Sequence, residues 1–228
     1  MENLNKPDVP INNTQCRNEI MMYGMKPQVR RTAHIPEYIK YDNLFSPPEC
    51  QAIIDFGHKS NGFGFASVGT NEPGGYNVDK NYRMVKTVNI RPEDGFDWLY
   101  TRLMQRIVWT NNERFEFDIS GLNEYIQLLW YQSKEQTAEG IAGHYKWHQD
   151  IGTYDMSLRK LSVVVQLSKS EDYDGCNLTL QTHRQFEIPE RKQGDVIIFP
   201  SYLPHMVTPI TRGERYSLVL WVSGAPFR

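Results

Sequence analysis

From Glu124 onward the chain is a succession of short apolar runs with no helical period between them. Residues 125–132, 161–168, 178–181, 195–199 and 215–223 are rich in Val, Ile, Leu and aromatics, and clusters of Gly, Pro, Asp and Ser separate them. Runs of this length and composition read as β-strands bounded by turns. Closely spaced strands without intervening helices pack into a sandwich or a barrel, and a jelly roll is the natural candidate.

The N-terminal half reads differently. The first 35 residues are polar, carry Pro7, Pro10 and Pro27, and hold no sustained period, so 1–35 is expected to be an arm, loosely ordered, whose Met21, Met22, Tyr23 and Met25 can dock on the body. A single domain is expected over 36–228. Ser46-Pro47-Pro48-Glu49 has the form of a capping box. It predicts a helix to about His58 with Cys50, Ile53, Ile54 and Phe56 on its apolar side, and Gly62 and Gly64 beyond its stop. A second helix is expected over 95–111, where Trp98, Leu99, Leu103, Ile107 and Val108 recur near helical spacing. The turn-rich stretch between these helices, centred on 69–76, is expected to be a lid. Two supporting helices followed by many strands make an α+β fold.

Composition narrows the function. Lys and Arg number 25 against 27 for Asp and Glu, and the net charge of -2 provides no global field for nucleic acid or an anionic membrane. The longest apolar runs, 163–167 and 217–222, fall far short of the roughly 20 residues that cross a bilayer. The opening residues lack a basic start leading into an apolar stretch, so no secretory signal is expected. Cys16, Cys50 and Cys176 are odd in number and lack CxxC spacing, which fits reduced thiols in a cytoplasmic protein better than disulfides or structural zinc.

The chemistry concentrates in His144-Tyr145-Lys146-Trp147-His148-Gln149-Asp150 and in Pro204-His205. In an extended strand, residues two apart share a face roughly 7 Å apart, so His148 and Asp150 can lean onto one ion, whereas His144 lies about 13 Å from His148 and reads as a supporting or loop residue. His205, from a distant strand, completes the set. Two histidines and one carboxylate on one face leave open positions on an octahedral ion, as non-haem Fe(II) requires to take a co-substrate and oxygen; zinc hydrolases use similar ligands. Ten residues beyond His205, Arg215 opens a strongly apolar strand. A buried guanidinium is costly unless an anion meets it. A dicarboxylate supplies that anion, chelating the metal at one end and pairing with Arg215 and the Ser217 hydroxyl at the other.

These features, Gly143 to Asp150, Lys160 to Ser168, Tyr173 to Leu178, Gly194 to Pro200, His205, and Arg215-Tyr216-Ser217 with Trp221, occur in an order and spacing that resembles the prolyl 4-hydroxylase-type Fe(II)/2-oxoglutarate dioxygenases over about 41–221. The resemblance implies a double-stranded β-helix, that is, a jelly-roll barrel. It implies His148, Asp150 and His205 as the metal triad, Arg215 on the distal carboxylate of 2-oxoglutarate, and Tyr131 as a further hydrogen bond to that co-substrate. Fe(II), 2-oxoglutarate and O2 are the implied cofactors, with ascorbate as an optional addition. The implied reaction hydroxylates a C–H bond and releases succinate and CO2. Its substrate would be a prolyl or other residue of a peptide or protein; a small metabolite or a saccharide is the alternative. The chain departs from its relatives in an insertion at 133–143 and in Gly175-Cys176, where they usually have Gly-Gly. Two readings outside this chemistry stand beside it: a cupin-type hydrolase or isomerase, which would not need Arg215, and a silent jelly-roll module. Trp221 is expected in the core and 171–174 in a solvated loop; Arg159 and Lys160, ahead of a core strand, read either as a solvated strand end or as cations placed to meet an anionic substrate.

Overall fold

Strands buried on both faces read as continuous apolar runs, because neither face can be left to water. The C-terminal runs have that form, and the computed structural model shows which layers cover them. It describes residues 34–60, 62–69, 75–188 and 192–226. The arm expected at 1–35 lies outside these apart from its last two residues, and so do Cys16 and the 70–74 tip of the expected lid.

Among the described residues the strands are β1 (Ile39–Tyr41), β2 (Gly64–Phe65), β3 (Val68–Gly69), β4 (Tyr76–Asn77), β5 (Arg83–Met84), β6 (Lys86–Ile90), β7 (Ile119–Leu122) and β8 (Ile126–Gln132). They continue with β9 (His144–His148), β10 (Arg159–Gln166), β11 (Tyr173–Gly175), β12 (Leu178–Gln181), β13 (Gln185–Glu187), β14 (Val196–Pro200), β15 (His205–Val207) and β16 (Ile210–Gly224). Two antiparallel sheets result. The large one runs β1-β14-β10-β16-β8-β6-β2, with β7 and β11 also on β16; the small one runs β13-β12-β15-β9-β5. A separate ribbon joins β3 to β4. Three of the N-terminal strands, β1, β2 and β6, therefore belong to the large sheet, and β5 to the small one.

Period-two alternation assigns the two faces of the large sheet. Ile126 and Leu128, Leu161, Val163 and Val165, Val196 and Ile198, and Leu218, Leu220 and Val222 point outward into one core. The helices α1 (Pro47–Lys59) and α2 (Asp97–Thr110) cover them with Cys50, Ile53, Leu99, Leu103 and Ile107. Each such side chain contributes roughly 1.5–3 kcal/mol on full burial. The intervening residues, Leu129 and Tyr131, Ile197 and Phe199, Val219 and Trp221, face the small sheet and form a second core. The insertion at 133–143 is accommodated locally: Ser133 opens a 3-10 turn at Lys134–Gln136, and Gly143 N–H rejoins the Gln132 carbonyl at 2.8 Å.

Both helices follow their sequence signals, with local differences. The backbone N–H and hydroxyl of Ser46 each donate to the Glu49 carboxylate at 2.9 Å. Arg102 from α2 closes on the same carboxylate at 2.8 Å, clamping the two helices together. The second helix starts at Asp97 because Pro92–Asp94 forms a 3-10 turn and Gly95 is left-handed at φ +91. Val108 lies on its solvent side, 42% exposed, contrary to its expected place on the apolar stripe. Residues 171–174 are only partly a solvated loop: Tyr173 is buried on β11, paired with Gly213.

Two outcomes test this frame. Gly194 sits at φ +88, where a Cβ would collide with the Phe45 carbonyl oxygen. Gly194→Ala is expected to cost on the order of 2 kcal/mol or more in urea unfolding, from left-handed strain and overpacking together. Arg102 and the Ser46 cap hold the Glu49 carboxyl down at about 2, from an ordinary 4.5. A depressed carboxylate contributes stability above its unfolded value and loses it as pH falls through the folded one. The stability gap between wild type and Glu49→Gln should therefore be full above pH 4.5 and close towards pH 2.

Candidate active site

The inner faces of the two sheets enclose a cavity. Arg215, Ser217, Val219 and Trp221 of β16 line one wall with Tyr131 and Leu129 of β8; Tyr145 and His148 of β9 and His205 and Val207 of β15 line the other. From Arg215 to Trp221 the odd-numbered residues of β16 thus face the cavity, while Tyr216, Leu218, Leu220 and Val222 belong to the core that the helices cover.

His148 and His205 meet because β9 and β15 are antiparallel neighbours with these two residues in direct register. Their ring centroids are 4.1 Å apart. Asp150 joins them by another route than the shared strand face. The strand ends at His148, and Asp150 lies beyond it in the following loop. Three anchors hold it there: its N–H donates to the Ser201 carbonyl at 3.0 Å, the Ser162 hydroxyl donates to its Oδ2 at 2.6 Å, and Arg159 donates to its own carbonyl at 3.0 Å. The ligating atoms of His148, Asp150 and His205 all lie within 4.8 Å of one another.

Each histidine places Nδ1 at 2.8 to 2.9 Å from the main-chain carbonyl two residues upstream, Lys146 for His148 and Leu203 for His205. Nδ1 therefore carries the proton, and the Nε2 lone pair faces the carboxylate, the tautomer a metal requires. The Nε2 atoms stand 3.6 and 3.4 Å from Asp150. Burial lowers His148 to about 3, helped by the charge of His205. Burial would also lower His205, but Asp150 overcomes this and raises it. Burial likewise opposes the charge on Asp150, yet His205, His148 and the Ser162 hydroxyl hold its carboxyl well below the usual range. An anionic oxygen and two imidazole nitrogens gathered within 4.8 Å of one another form a donor set suited to a divalent ion.

His144 lies outside this group, as the reach argument requires. Its ring nitrogens are taken by the carbonyls of Ala142 and Asn81 at 2.9 and 3.1 Å.

Arg215 occupies the deep end and is 1% exposed. Its Nε donates to Gln166 Oε1 at 3.0 Å, Nη1 faces the Cys176 sulfur at 3.9 Å, and the Tyr131 ring lies 5.5 Å away. Among the described residues no carboxylate pairs with it. Tyr131 is its direct cross-strand partner, and burial raises the phenol, so the hydroxyl stays protonated and able to donate. Ser217 lies two residues along the same face, fully buried.

Several contributors were not singled out from the sequence. Gln166 was detectable as the polar residue inside the apolar run 161–168, at a position that alternation turns inward. Ser162 carries the same signal. Cys176 adopts φ +53, a left-handed conformation that glycine takes freely, which accounts for glycine being usual at this position and places the sulfur against Arg215. Arg159 and Lys160 are buried instead of lying at a solvated end. Arg159 forks onto Glu124 at 2.7 and 2.6 Å and stacks 3.9 Å over Trp221. Trp221 is buried as expected and also forms part of the cavity wall.

Known proteins agree with this geometry. Residues 129–223, which hold the triad, Tyr131, Arg215 and Ser217, match the model of the 2OG-Fe(II) oxygenase superfamily. A PKHD-type hydroxylase of Hyphomonas neptunium is 37% identical over 105 residues, 44% of this chain and 47% of that protein. One of Synechococcus is 35% identical over 82 residues, 34% of this chain and 36% of that protein. The chain thus spans less than half the length of these curated relatives. In fold it is similar to a Pseudomonas putida prolyl-4-hydroxylase, with a TM-score of 0.61 at 18% identity over 83% of this chain and 93% of that one. A Trichoplax adhaerens prolyl hydroxylase, solved with a hypoxia inducible factor peptide fragment, gives a TM-score of 0.65 at 18% identity over 82% and 84%.

The fold is a double-stranded β-helix like that of the prolyl 4-hydroxylases. More particularly, residues 129–223 are similar to the 2OG-Fe(II) oxygenase superfamily and to PKHD-type hydroxylases. That family works with Fe(II), 2-oxoglutarate and O2, and the His148–Asp150–His205 set fits iron. Among the described residues no helix is long and apolar enough to cross a membrane.

Ser162 tests how the metal set is held. Ser162→Ala removes the hydroxyl that fixes Asp150 and should weaken Fe(II) binding by about 10–100-fold while the fold remains intact. Calorimetric titration of metal into both proteins measures it; equal affinities would show that the Asp150 loop is held without this bond.

Proposed function

We propose that this chain is a 2-oxoglutarate- and O2-dependent hydroxylase acting on a C–H bond, of a prolyl or other residue in a peptide or protein. The observation that carries this reading is Arg215: a guanidinium 1% exposed, with no carboxylate partner among the described residues, in the same cavity as the three metal ligands. Leaving such a charge unpaired costs several kcal/mol, so the cavity is built for an anion that arrives from outside. A metal hydrolase would have no use for it.

In this reading His148, Asp150 and His205 would hold Fe(II). Arg215 receives the 5-carboxylate of 2-oxoglutarate through the donors that Gln166 and Cys176 leave free, and Tyr131 and Ser217 add hydroxyls along its path. When bound, iron and 2-oxoglutarate supply the oxidising chemistry with O2, yielding succinate and CO2 as co-products. The apolar stretch Leu129, Val164 and Val219 between the two anchors keeps bulk water from the reacting centre.

The primary substrate would enter by a groove that runs outward from the triad past Tyr82, Glu124 and Trp221. The β3–β4 ribbon borders this groove through Val68, Gly69 and Tyr76, the place a closing element needs to occupy. A peptide substrate is supported by the Trichoplax relative, which was solved with one.

Anaerobic addition of Fe(II) and 2-oxoglutarate is the test. Wild type should develop the weak visible charge-transfer band of the chelated co-substrate. Asp150→Ala should lose it, and Arg215→Ala should need about 10²–10³-fold more 2-oxoglutarate, the equivalent of a broken buried ion pair. An iron-loaded wild type without the band would sink the oxygenase reading.

A further inference from the structure

Buried polar atoms in folded proteins nearly always find a partner, from the protein itself, an ordered water or a ligand. Four such atoms belong to residues of a single groove: Arg83 Nε, Thr87 Oγ1, Gln127 Oε1 and Trp221 Nε1. It is the groove that leads out from the triad. Three strands of the large sheet contribute Thr87, Gln127 and Trp221, and β5 of the small sheet contributes Arg83 from across the opening.

Arg83 decides what kind of ligand fits. It is 8% exposed and stands at the junction of the groove with the inner cavity. Its Nη1 donates to the Ser67 carbonyl at 3.0 Å, and its plane lies 4.6 Å from the Tyr145 ring centroid. That leaves the Nε edge of the fork without a partner. No carboxylate pairs with it among the described residues. The other guanidinium in the groove, Arg159, is already neutralised by Glu124 at 2.7 and 2.6 Å. With Fe(II) and 2-oxoglutarate in place, the charges of metal, Asp150, Arg215 and co-substrate cancel. The charge on Arg83 is left over.

We propose that the groove takes a primary substrate bearing a carboxylate, received by the Nε edge of Arg83, with the Thr87 hydroxyl, the Trp221 indole N–H and the Gln127 amide completing its polar contacts. This rests on the oxygenase reading and narrows its substrate to an acid. A planar carboxylate matches the two-donor edge of a guanidinium, and a buried pair of this kind converts the cost of Arg83 into selectivity. The carboxylate can belong to a free acid of low mass or to an acidic residue or C-terminus of a peptide.

Matched probes separate these sources. The anaerobic Fe(II)/2-oxoglutarate complex is titrated calorimetrically with N-acetyl amino acids and their primary amides, and with blocked Glu-Pro-Gly and Gln-Pro-Gly tripeptides. Acids should bind at least about tenfold more tightly than their amides, the difference between a charge-assisted and a neutral hydrogen bond. Preference among the N-acetyl acids assigns a small substrate, and preference for the Glu tripeptide assigns a peptide; either supports the proposal. Arg83→Gln should abolish the preference and Arg83→Lys should keep part of it. Thr87→Val, which leaves the guanidinium and its Tyr145 contact untouched, should weaken the acids several-fold. Equal binding of acids and amides, no binding of any probe, or a preference that survives Arg83→Gln would overturn it. So would an Arg83→Gln protein whose charge-transfer band needs more 2-oxoglutarate, since Arg83 would then serve the co-substrate. A wild type that lacks the band but still discriminates acid from amide would refute the oxygenase reading, and with it the assignment of the acid as that reaction's substrate, while acid recognition by the groove would remain.

Discussion

The 2.6 Å hydrogen bond from Ser162 to Asp150 joins the large sheet to a loop that no strand pairing controls. The two histidines need no such device, since the register of β9 against β15 sets their spacing. The carboxylate sits past the end of its strand and depends on borrowed contacts: Ser162 below it, Ser201 on its amide and Arg159 on its carbonyl. Arg159 in turn is fixed by Glu124 and by the face of Trp221. The metal set is therefore assembled by both sheets, and its geometry is only as rigid as the gap between them.

What could be read from the sequence follows from that division. The triad and Arg215 were legible because each is a polar residue in an otherwise apolar setting, and their order along the chain is distinctive. The paired faces of the C-terminal strands were legible for the same reason, in residues such as Leu218 to Val222. The position of Asp150 off the strand was not, because a two-residue spacing looks alike whether the strand continues or stops. Arg159 and Lys160 were misread since a charged pair ahead of an apolar run usually marks a wetted end; the residue that buries Arg159, Glu124, lies 35 positions away. The N-terminal strands β2 and β5 are two residues long and carry no period to detect.

Arg215 and Arg83 present the same electrostatic problem at the two ends of the cavity, with different solutions. Arg215 is cushioned by groups that cannot neutralise it, an amide, a thiol and a phenol ring, and this keeps it available to an anion. Arg83 has a carbonyl and an aromatic face, which likewise solvate without neutralising. In contrast Arg102 and Arg159 have carboxylates and act as fasteners. The acid or neutral character of the partner thus separates the guanidinium groups neutralised within the fold from the two at the cavity that are not.

The fifteen residues of β16 touch β10, β8, β7 and β11, so the last described strand is also the one that joins the sheet into a whole. Before it arrives, β1-β14-β10 and β8-β6-β2 are two ribbons with bare edges facing each other. The backbone edges that β16 covers can be satisfied within the sheet only after its residues have been synthesised, and until then they are open to pairing with other chains. Pairing over such sequence separations is slow. Because β16 also supplies Arg215, Ser217, Val219 and Trp221, the cavity wall and the continuity of the sheet depend on the same late-made segment.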